Sequence, residues 1–157
     1  MRTITPCLWF DGNGEEAARY YCSILPDSGI DDITYYGPEM PGQEGAVLTV
    51  GFHLGGRAYT ALNGGPQFPF TEAVSLQVHC ETAEENDRFY DALVDGGETA
   101  PCGWLTDRYG FSWQIIPPGL LEWMNGDDRA AAQRVTKVML ATHGKLDPAA
   151  LEAAHRG

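Results

Sequence analysis

Two stretches of the chain share a helical spacing of apolar residues. They are NGEEAARYYCSIL at 13–25 and TAEENDRFYDALV at 82–94. In each stretch the bulky apolar residues recur at intervals of three and four, which is typical of an amphipathic helix with one buried stripe. Each stretch also opens on a capping residue, Asn13 or Thr82, with a glutamate three positions later, which is the spacing of a capping box. The pattern predicts two related helices, one in each half of the chain.

Strand-like runs surround both helices in the same order. One run precedes each helix, and two or three follow it, separated by Gly and Pro turns. These runs are ITPCLWF, DDITYYG, AVLTVGFHL and RAYTALNGG in the first half, and AVSLQVH, ETAPCGWL and FSWQIIP in the second. A lone unit of this kind would leave one sheet face bare, so we expect two units that share a core. We therefore predict an α+β chain forming a single domain over 1–157, with module one at 3–65, a linker at 66–72 and module two at 73–118.

The remaining stretch, 120–157, has no counterpart in the first half. DDRAAAQRVTKVMLAT predicts a helix, and DPAALEAA predicts a shorter one with Asp147 as its cap and Pro148 at its first position. The longer helix carries an apolar stripe. Such a stripe packs either on its own domain or on a partner chain, and the sequence allows both.

Alternation along the predicted strands sorts their side chains into an apolar and a polar side. The apolar side of 73–80 is expected to meet the helices. The polar sides of three strands together carry Asn63, Ser75, Gln77, His79, Ser112 and Gln114. Such a face is either exposed to solvent or curled inward as a cup with neutral hydrogen-bonding walls, and the repeat favours the cup.

Charge and composition restrict the partners. The net charge of −12 repels phosphate backbones and anionic lipid head groups, so neither nucleic acid nor a membrane surface is an expected partner. The start of the chain lacks a signal-like apolar region, and no apolar run approaches the length of a membrane span. We expect a cytoplasmic protein whose four cysteines, Cys7, Cys22, Cys80 and Cys102, are reduced thiols.

Three longer stretches carry a family resemblance: ITPCLWFDGNGEEAARYY, YTALNGGPQFPFTEAVSLQVHCET and CGWLTDRYGFSWQIIP. Together they resemble the PhnB-like branch of the glyoxalase/bleomycin-resistance (vicinal oxygen chelate) superfamily, a branch often labelled 3-demethylubiquinone 3-methyltransferase-like. The resemblance spans residues 3–154. It implies two βαβββ modules that form a curled sheet with a central cleft, followed here by a C-terminal helical tail, and it implies a homodimer.

The resemblance also implies where a metal would sit in metal-dependent members, which use a histidine and a glutamate from each module. Those positions fall near Ile4, Ala73, Asn63 and Gln114, which carry neither imidazole nor carboxylate. We therefore expect no metal and no cofactor. A shifted cluster stays open, built from His53, His79 or Glu72. The turn DGNGEEA at 11–17 lacks the GxGxxG spacing of a nucleotide-type site, so the sequence does not support the methyltransferase label.

The first functional hypothesis is a metal-free small-molecule-binding protein whose ligand is unknown. Its expected ligand-binding residues are Asn63, Ser75, Gln77, His79, Trp104, Tyr109 and Gln114. One alternative is an enzyme that acts on a small polar metabolite with His79 as acid or base. The other is a dimeric interaction protein with a vestigial cleft.

Overall fold

A computed structural model describes residues 4–157, and the chain forms two compact units, the first ending at Phe70 and the second spanning Thr71–Gly157. The first unit contains β1 (Cys7–Phe10), α1 (Gly14–Ile24), β2 (Gly29–Tyr35), β3 (Val47–Leu54) and β4 (Arg57–Asn63). The second unit contains β5 (Ser75–His79), α2 (Ala83–Val94), β6 (Glu98–Thr99), β7 (Trp104–Thr106), β8 (Ser112–Ile116), α3 (Leu120–Asn125), α4 (Arg129–Ala141) and α5 (Pro148–Arg156). Within residues 4–157 no helix is both long and apolar enough to cross a membrane.

The two units repeat one sheet topology. The first sheet has the order β1-β4-β3-β2 and the second has the order β5-β8-β7-β6. In each, the first and last strands of the module pair in parallel, and the remaining neighbours are antiparallel. The α+β class and the two βαβββ modules are thus confirmed, as are the two helices predicted from the apolar spacing.

The run ETAPCGWL, which reads as one strand in the sequence, forms two strands. The chain reverses between β6 and β7, where Cys102 and Gly103 both have positive φ angles, 63° and 81°. The N–H of Ala100 donates to the carbonyl of Trp104 at 2.9 Å, which closes the turn. A glycine adopts this backbone conformation without steric cost, so the Pro-Cys-Gly sequence supplies the reversal.

The two helices begin in different ways. At α2 the predicted cap by Thr82 is confirmed, since Thr82 Oγ1 accepts the N–H of Glu85 at 3.1 Å. The return bond of the capping box is displaced by one residue, because the Glu85 carboxylate accepts the N–H of Glu81, which precedes the cap, at 2.9 Å. At α1 the predicted capping box is wrong, because the side chain of Asn13 makes no capping hydrogen bond. The first N–H of α1, that of Gly14, instead donates to the side chain of Asn63. A residue at the far end of the module replaces the local cap.

Each unit buries its own apolar side chains between helix and sheet. In the first unit α1 packs on β3 and β4, and in the second α2 packs on β7 and β8. The buried apolar residues are Leu8, Phe10, Ala17, Ala18, Tyr21, Val50, Phe52, Leu54, Tyr59 and Ala61 in the first unit, and Phe89, Tyr90, Leu93, Leu105, Phe111, Trp113 and Ile115 in the second. This burial is the main stabilising contribution to each unit.

The helical tail packs within the second unit. Its centre is a cluster of Leu120, Val135, Leu146 and Leu151, with Val138 and Met139 packed against it. The apolar stripe of α4 therefore contacts α3 and α5 of the same chain, which answers a question that the sequence left open. Helix α3 was not predicted: it has only six residues, and Gly119 at its N-cap has a φ angle of 80°.

Candidate ligand-binding face

The second sheet separates apolar from polar side chains along its central strands. Leu76 pairs with Trp113, and residues directly opposite each other share a side of a sheet. Trp113 is buried on the side that α2 covers. The opposite side, here called the polar face, carries Ser75, Gln77 and His79 of β5, Ser112 and Gln114 of β8, and Trp104 and Thr106 of β7.

The centre of the polar face is a continuous chain of three hydrogen-bonded side chains. Gln77 and Gln114 lie directly opposite each other, and Gln77 Nε2 donates to Gln114 Oε1 at 3.1 Å. Gln114 Nε2 donates in turn to Ser75 Oγ at 2.7 Å. On the other side of Gln114, Trp104 occupies the paired position of β7. An amide chain beside an aromatic ring is a surface on which a polar ligand can be oriented and packed.

Two further predicted site residues lie at the margins of the polar face. His79 ends β5 opposite Ile116, and its ring is exposed and makes no hydrogen bond or ion pair within residues 4–157. Ile116 packs against the apolar cluster of the tail, which limits the polar face at this end. Tyr109 lies in the turn before β8, where its N–H donates to Asp107 Oδ1 at 2.8 Å.

Asp107 organises that turn, a role that the sequence reasoning missed. Its side chain is only 3% exposed. Oδ1 accepts the N–H groups of Tyr109 and Phe111, and Oδ2 accepts the indole N–H of Trp113 at 2.8 Å. A carboxylate that accepts several N–H groups is well stabilised in a buried position. The Asp-x-x-Gly spacing in TDRYG is the sequence signal that indicates such a turn.

Asn63 occupies a different place from Gln114, although the sequence analysis set the two at matching positions. Asn63 lies on the same side of β4 as Ala61, which is the side that α1 covers. Its Oδ1 accepts the N–H of Gly14 at 2.8 Å, and its Nδ2 donates to the carbonyl of Val47 at 3.0 Å. The assumed correspondence between Asn63 and Gln114 is therefore wrong. Asn63 faces the helix of its module, whereas Gln114 faces away from the helix of its module, so the two positions differ in strand register by one residue.

A histidine–carboxylate pair in the first unit was also missed. His53 lies in β3, which pairs with β4 on one side and with β2 on the other. Its Nδ1 lies 2.8 Å from Asp31 Oδ1, and both side chains are partly exposed. Asp31 falls where the β2–β3 register shifts between Ile30 and Asp32. No local sequence pattern marks such a pairing, since a register shift is set by the strands together.

The resemblance implies a metal site at four positions, which are occupied here by Ile4, Asn63, Ala73 and Gln114. Across residues 4–157 the structure brings together no group of three or more His, Cys, Asp or Glu side chains suited to a metal ion. Gln114 and Asn63 instead use their amides in the hydrogen bonds described above. These four positions therefore carry no charged side chain.

Three of the four thiols, those of Cys7, Cys22 and Cys80, have a raised pKa. Burial raises the pKa of Cys7 and Cys22, and burial, with a smaller contribution from Glu85, raises the pKa of Cys80 to about 11. A thiol with a raised pKa stays protonated at neutral pH, and the protonated form is a weak nucleophile.

Comparison with known proteins agrees with the fold. The 3-demethylubiquinone-9 3-methyltransferase family model matches residues 2–116, so the helical tail lies beyond the match. The chain is 37% identical to a putative 3-demethylubiquinone-9 3-methyltransferase, PhnB protein, from Bacillus cereus, with a TM-score of 0.67 over 74% of this chain and 99% of that one. Protein PA1353 from Pseudomonas aeruginosa is 23% identical, with a TM-score of 0.61 over 74% and 98%. The fosfomycin resistance protein FosX from Mesorhizobium loti is 12% identical, with a TM-score of 0.54 over 77% and 94%. No curated protein matches the chain.

Proposed function

Because the chain belongs to the 3-demethylubiquinone-9 3-methyltransferase family of PhnB-like proteins, within the glyoxalase/bleomycin-resistance superfamily, we propose that it binds a small polar molecule on its polar face without a metal ion. The observation that carries this proposal is the chain Gln77–Gln114–Ser75 beside Trp104. Neutral amides orient a ligand without the desolvation cost of a buried charge.

The polar face combines hydrogen-bonding side chains with an aromatic ring, which is the combination found in small-molecule sites. Side-chain amides and hydroxyls fix the orientation of a ligand, and an aromatic ring supplies apolar contact area. The partly buried amide of Gln114 is held by two neighbours, so little conformational entropy is lost when a ligand binds there. The exposed ring of His79 lies at the end of β5, the strand that carries Ser75 and Gln77, and adds a further hydrogen-bonding group.

We do not propose methyl transfer from a nucleotide-type donor. Packing explains the glycine at the first position of α1, since a Cβ on Gly14 would lie 2.8 Å from Asn63 Oδ1. The N–H of Gly14, which a donor phosphate or carboxylate would use at a helix start, already donates to Asn63. The glycine at this position therefore serves contact between α1 and β4.

The first experiment identifies the ligand and tests the metal-free state. Mass spectrometry of small molecules released from natively purified protein is expected to find a bound polar compound. Elemental analysis of the same sample is expected to find no stoichiometric zinc, nickel, manganese or iron. A stoichiometric metal that is lost on substitution of His53 or His79 would contradict the metal-free proposal.

The second experiment tests the face itself. Gln114→Leu is expected to weaken binding of the identified compound by roughly five- to a hundredfold, since each polar group left unpaired costs about 1–3 kcal/mol. Its melting temperature should change little, because Gln114 is only partly buried. Gln133→Leu is the matched control, as it makes the same chemical change on an exposed position of α4. Equal affinities of both variants in calorimetric titration would remove the polar face from the site.

The homodimer implied by the superfamily resemblance stays a prediction. The apolar stripe of α4, which suggested a physical reason for it, is covered by α3 and α5 in the same chain. Light scattering at micromolar concentration and at two salt concentrations checks it, and a monomer under both conditions would contradict it.

A further inference from the structure

We infer that the helical tail holds Trp104 in place on the polar face, through main-chain hydrogen bonds between residues 142–144 and the turn before Trp104. This inference rests on the binding role proposed above. It makes Gly144 a positioning residue, which acts on a ligand through Trp104 and does not contact the ligand itself. The family model ends at residue 116, so no property of the family gives the tail this role.

Trp104 is the first residue of β7, a strand of only three residues. It lies opposite Gln114 on the polar face. Its N–H donates to the carbonyl of Pro101 at 3.2 Å, and its carbonyl accepts the N–H of Ala100 at 2.9 Å. Both of these bonds run to the turn at 100–103, so the position of Trp104 depends on the shape of the turn.

The turn contains a backbone conformation that needs external support. Cys102 has a φ angle of 63°, in the left-handed region that residues with a Cβ seldom adopt. A residue keeps such a conformation only where the surrounding contacts hold it. Here the tail supplies the contact, because His143 forms an antiparallel bridge with Pro101 and the N–H of Cys102 donates to the carbonyl of Thr142 at 2.9 Å.

Gly144 makes two further bonds to the same turn. Its carbonyl accepts the N–H of Gly103 at 3.1 Å, and its own N–H donates to the carbonyl of Ala100 at 2.9 Å. Leu146 extends the contact, since a Cβ added to Gly103 would lie 3.0 Å from its side chain. The N–H groups of residues 102 and 103 thus have their partners in the tail, and loss of those partners would let the turn relax.

The aromatic ring is the part of the site that this turn positions. Trp104 lies beside Gln114, whose amide is already held by Gln77 and Ser75. A ligand that packs on the ring and bonds the amide needs both groups at a fixed separation. A displacement of the turn should therefore weaken binding although no residue that touches the ligand has changed.

The position of Trp104 is tested first without a ligand, by NMR of the tryptophan indole N–H groups and of the Gln114 side-chain amide. The Trp104 signal is assigned by its loss in Trp104→Phe. Gly144→Ala places a Cβ on a residue with a φ angle of 87°, which strains the segment. The Trp104 and Gln114 signals should both move, and the N–H groups of Cys102 and Gly103 should exchange faster with solvent.

Gly55→Ala is the matched control, because it makes the same substitution at a φ angle of 54° in the first unit, where nothing lies within 4 Å of the added Cβ. It should leave both signals in place. Gly144→Pro is the stronger variant, since proline has no N–H for Ala100 and cannot adopt a positive φ angle. An unmoved Trp104 signal in Gly144→Pro would overturn the inference, and Gly144→Ala decides in the same way if the proline variant does not fold.

The effect on binding is measured with benzamide, which offers an aromatic ring to Trp104 and an uncharged amide to Gln114. For the full chain, titration followed by the Gln114 signals should give a dissociation constant in the millimolar range. Gly144→Ala should weaken this binding roughly two- to tenfold, the contribution of one aromatic contact. In the Trp104→Ala background it should have no further effect, because the ring through which Gly144 acts is absent.

The outcomes separate this inference from the proposed function. If Gly144→Ala leaves the affinity for benzamide unchanged, or weakens it equally with and without Trp104, the tail does not act through the ring and the inference is wrong. It is also wrong if benzamide does not shift the Gln114 signals at about 20 mM. In each of these cases the binding role is decided separately, by the co-purified compound and by Gln114→Leu.

Discussion

Replacing Asn63 by leucine is expected to destabilise the first unit, because its buried amide joins the start of α1 to the start of β3. Asn63 is 7% exposed. Its Oδ1 accepts the N–H of Gly14 at 2.8 Å, and its Nδ2 donates to the carbonyl of Val47 at 3.0 Å. Leucine has the same number of side-chain heavy atoms as asparagine, branched at the same position, but provides neither group.

The magnitude follows from the two broken bonds. Gly14 is buried, so its unpaired N–H costs about 1–3 kcal/mol. Val47 is only partly buried, and water can reach its carbonyl, so the second loss is about 0.5–1.5 kcal/mol. The added apolar surface of leucine returns about 1 kcal/mol. The free energy of unfolding should therefore fall by about 0.5–3.5 kcal/mol, which lowers the melting temperature of a chain of this length by roughly 1–14 °C.

The assay combines thermal denaturation with amide hydrogen exchange. First-turn amides of a helix ordinarily lack an internal partner and exchange fast, but the N–H of Gly14 should be protected in the parent protein. That protection should disappear in Asn63→Leu. Asn63→Asp separates the two bonds, since it retains the acceptor for Gly14 and loses the donor to Val47.

Asn125→Leu is the matched control, because Asn125 is exposed and its amide bonds only the carbonyl of Leu121 within its own helix. If Asn63→Leu melts within about 1 °C of the parent protein and Gly14 keeps its protection, the structural role assigned to Asn63 is refuted. A loss of ligand binding without a loss of stability would instead support a ligand-binding role for Asn63, as predicted from the sequence.

Three further predictions concern the caps, the β7–β8 turn and a buried thiol. Thr82→Ala should lower the free energy of unfolding, measured by urea denaturation, by about 1 kcal/mol, whereas Asn13→Ala should leave it almost unchanged. Of these two cap residues, Thr82 makes a side-chain cap bond and Asn13 does not; equal losses in the two variants would contradict this explanation. Asp107→Asn should lower stability by about 1–3 kcal/mol and change the fluorescence of Trp113, since an amide cannot accept all three N–H groups; an unaltered melting curve would refute it. The pKa of the Cys80 thiol is raised from 9.0 to about 11. The contribution of the protonated thiol to stability is therefore complete below pH 9 and is lost as the pH rises through 11, so the melting temperature should decline over this range. Cys80→Ala should flatten the decline, and an unchanged decline in this variant would contradict the prediction.

Several features of the secondary structure follow from local sequence patterns alone. The helices at Gly14–Ile24 and Ala83–Val94 follow from the spacing of apolar residues, because a helix places residues three and four apart on one face. The repeated order of strand, helix and strands follows from the same local signals. Even the cap of α2 was readable, since Thr82 and Glu85 lie within one turn of each other.

Local sequence patterns are therefore enough to predict the helices and strands, their repeat and the polar residues that alternate along β5 and β8. The side of the sheet that each residue faces depends instead on how the strands pair in the folded chain. Asn63 and Gln114 are both amides on the last strand of their module, yet one caps a helix start 49 positions away and the other joins two neighbours on the polar face. A one-residue change of register reverses every side chain of a strand, and register is set by hydrogen bonds between strands that are distant in sequence. The same holds for the pairing of His53 with Asp31 and for the packing of α4 on α3 and α5, which depend on contacts that no local pattern contains.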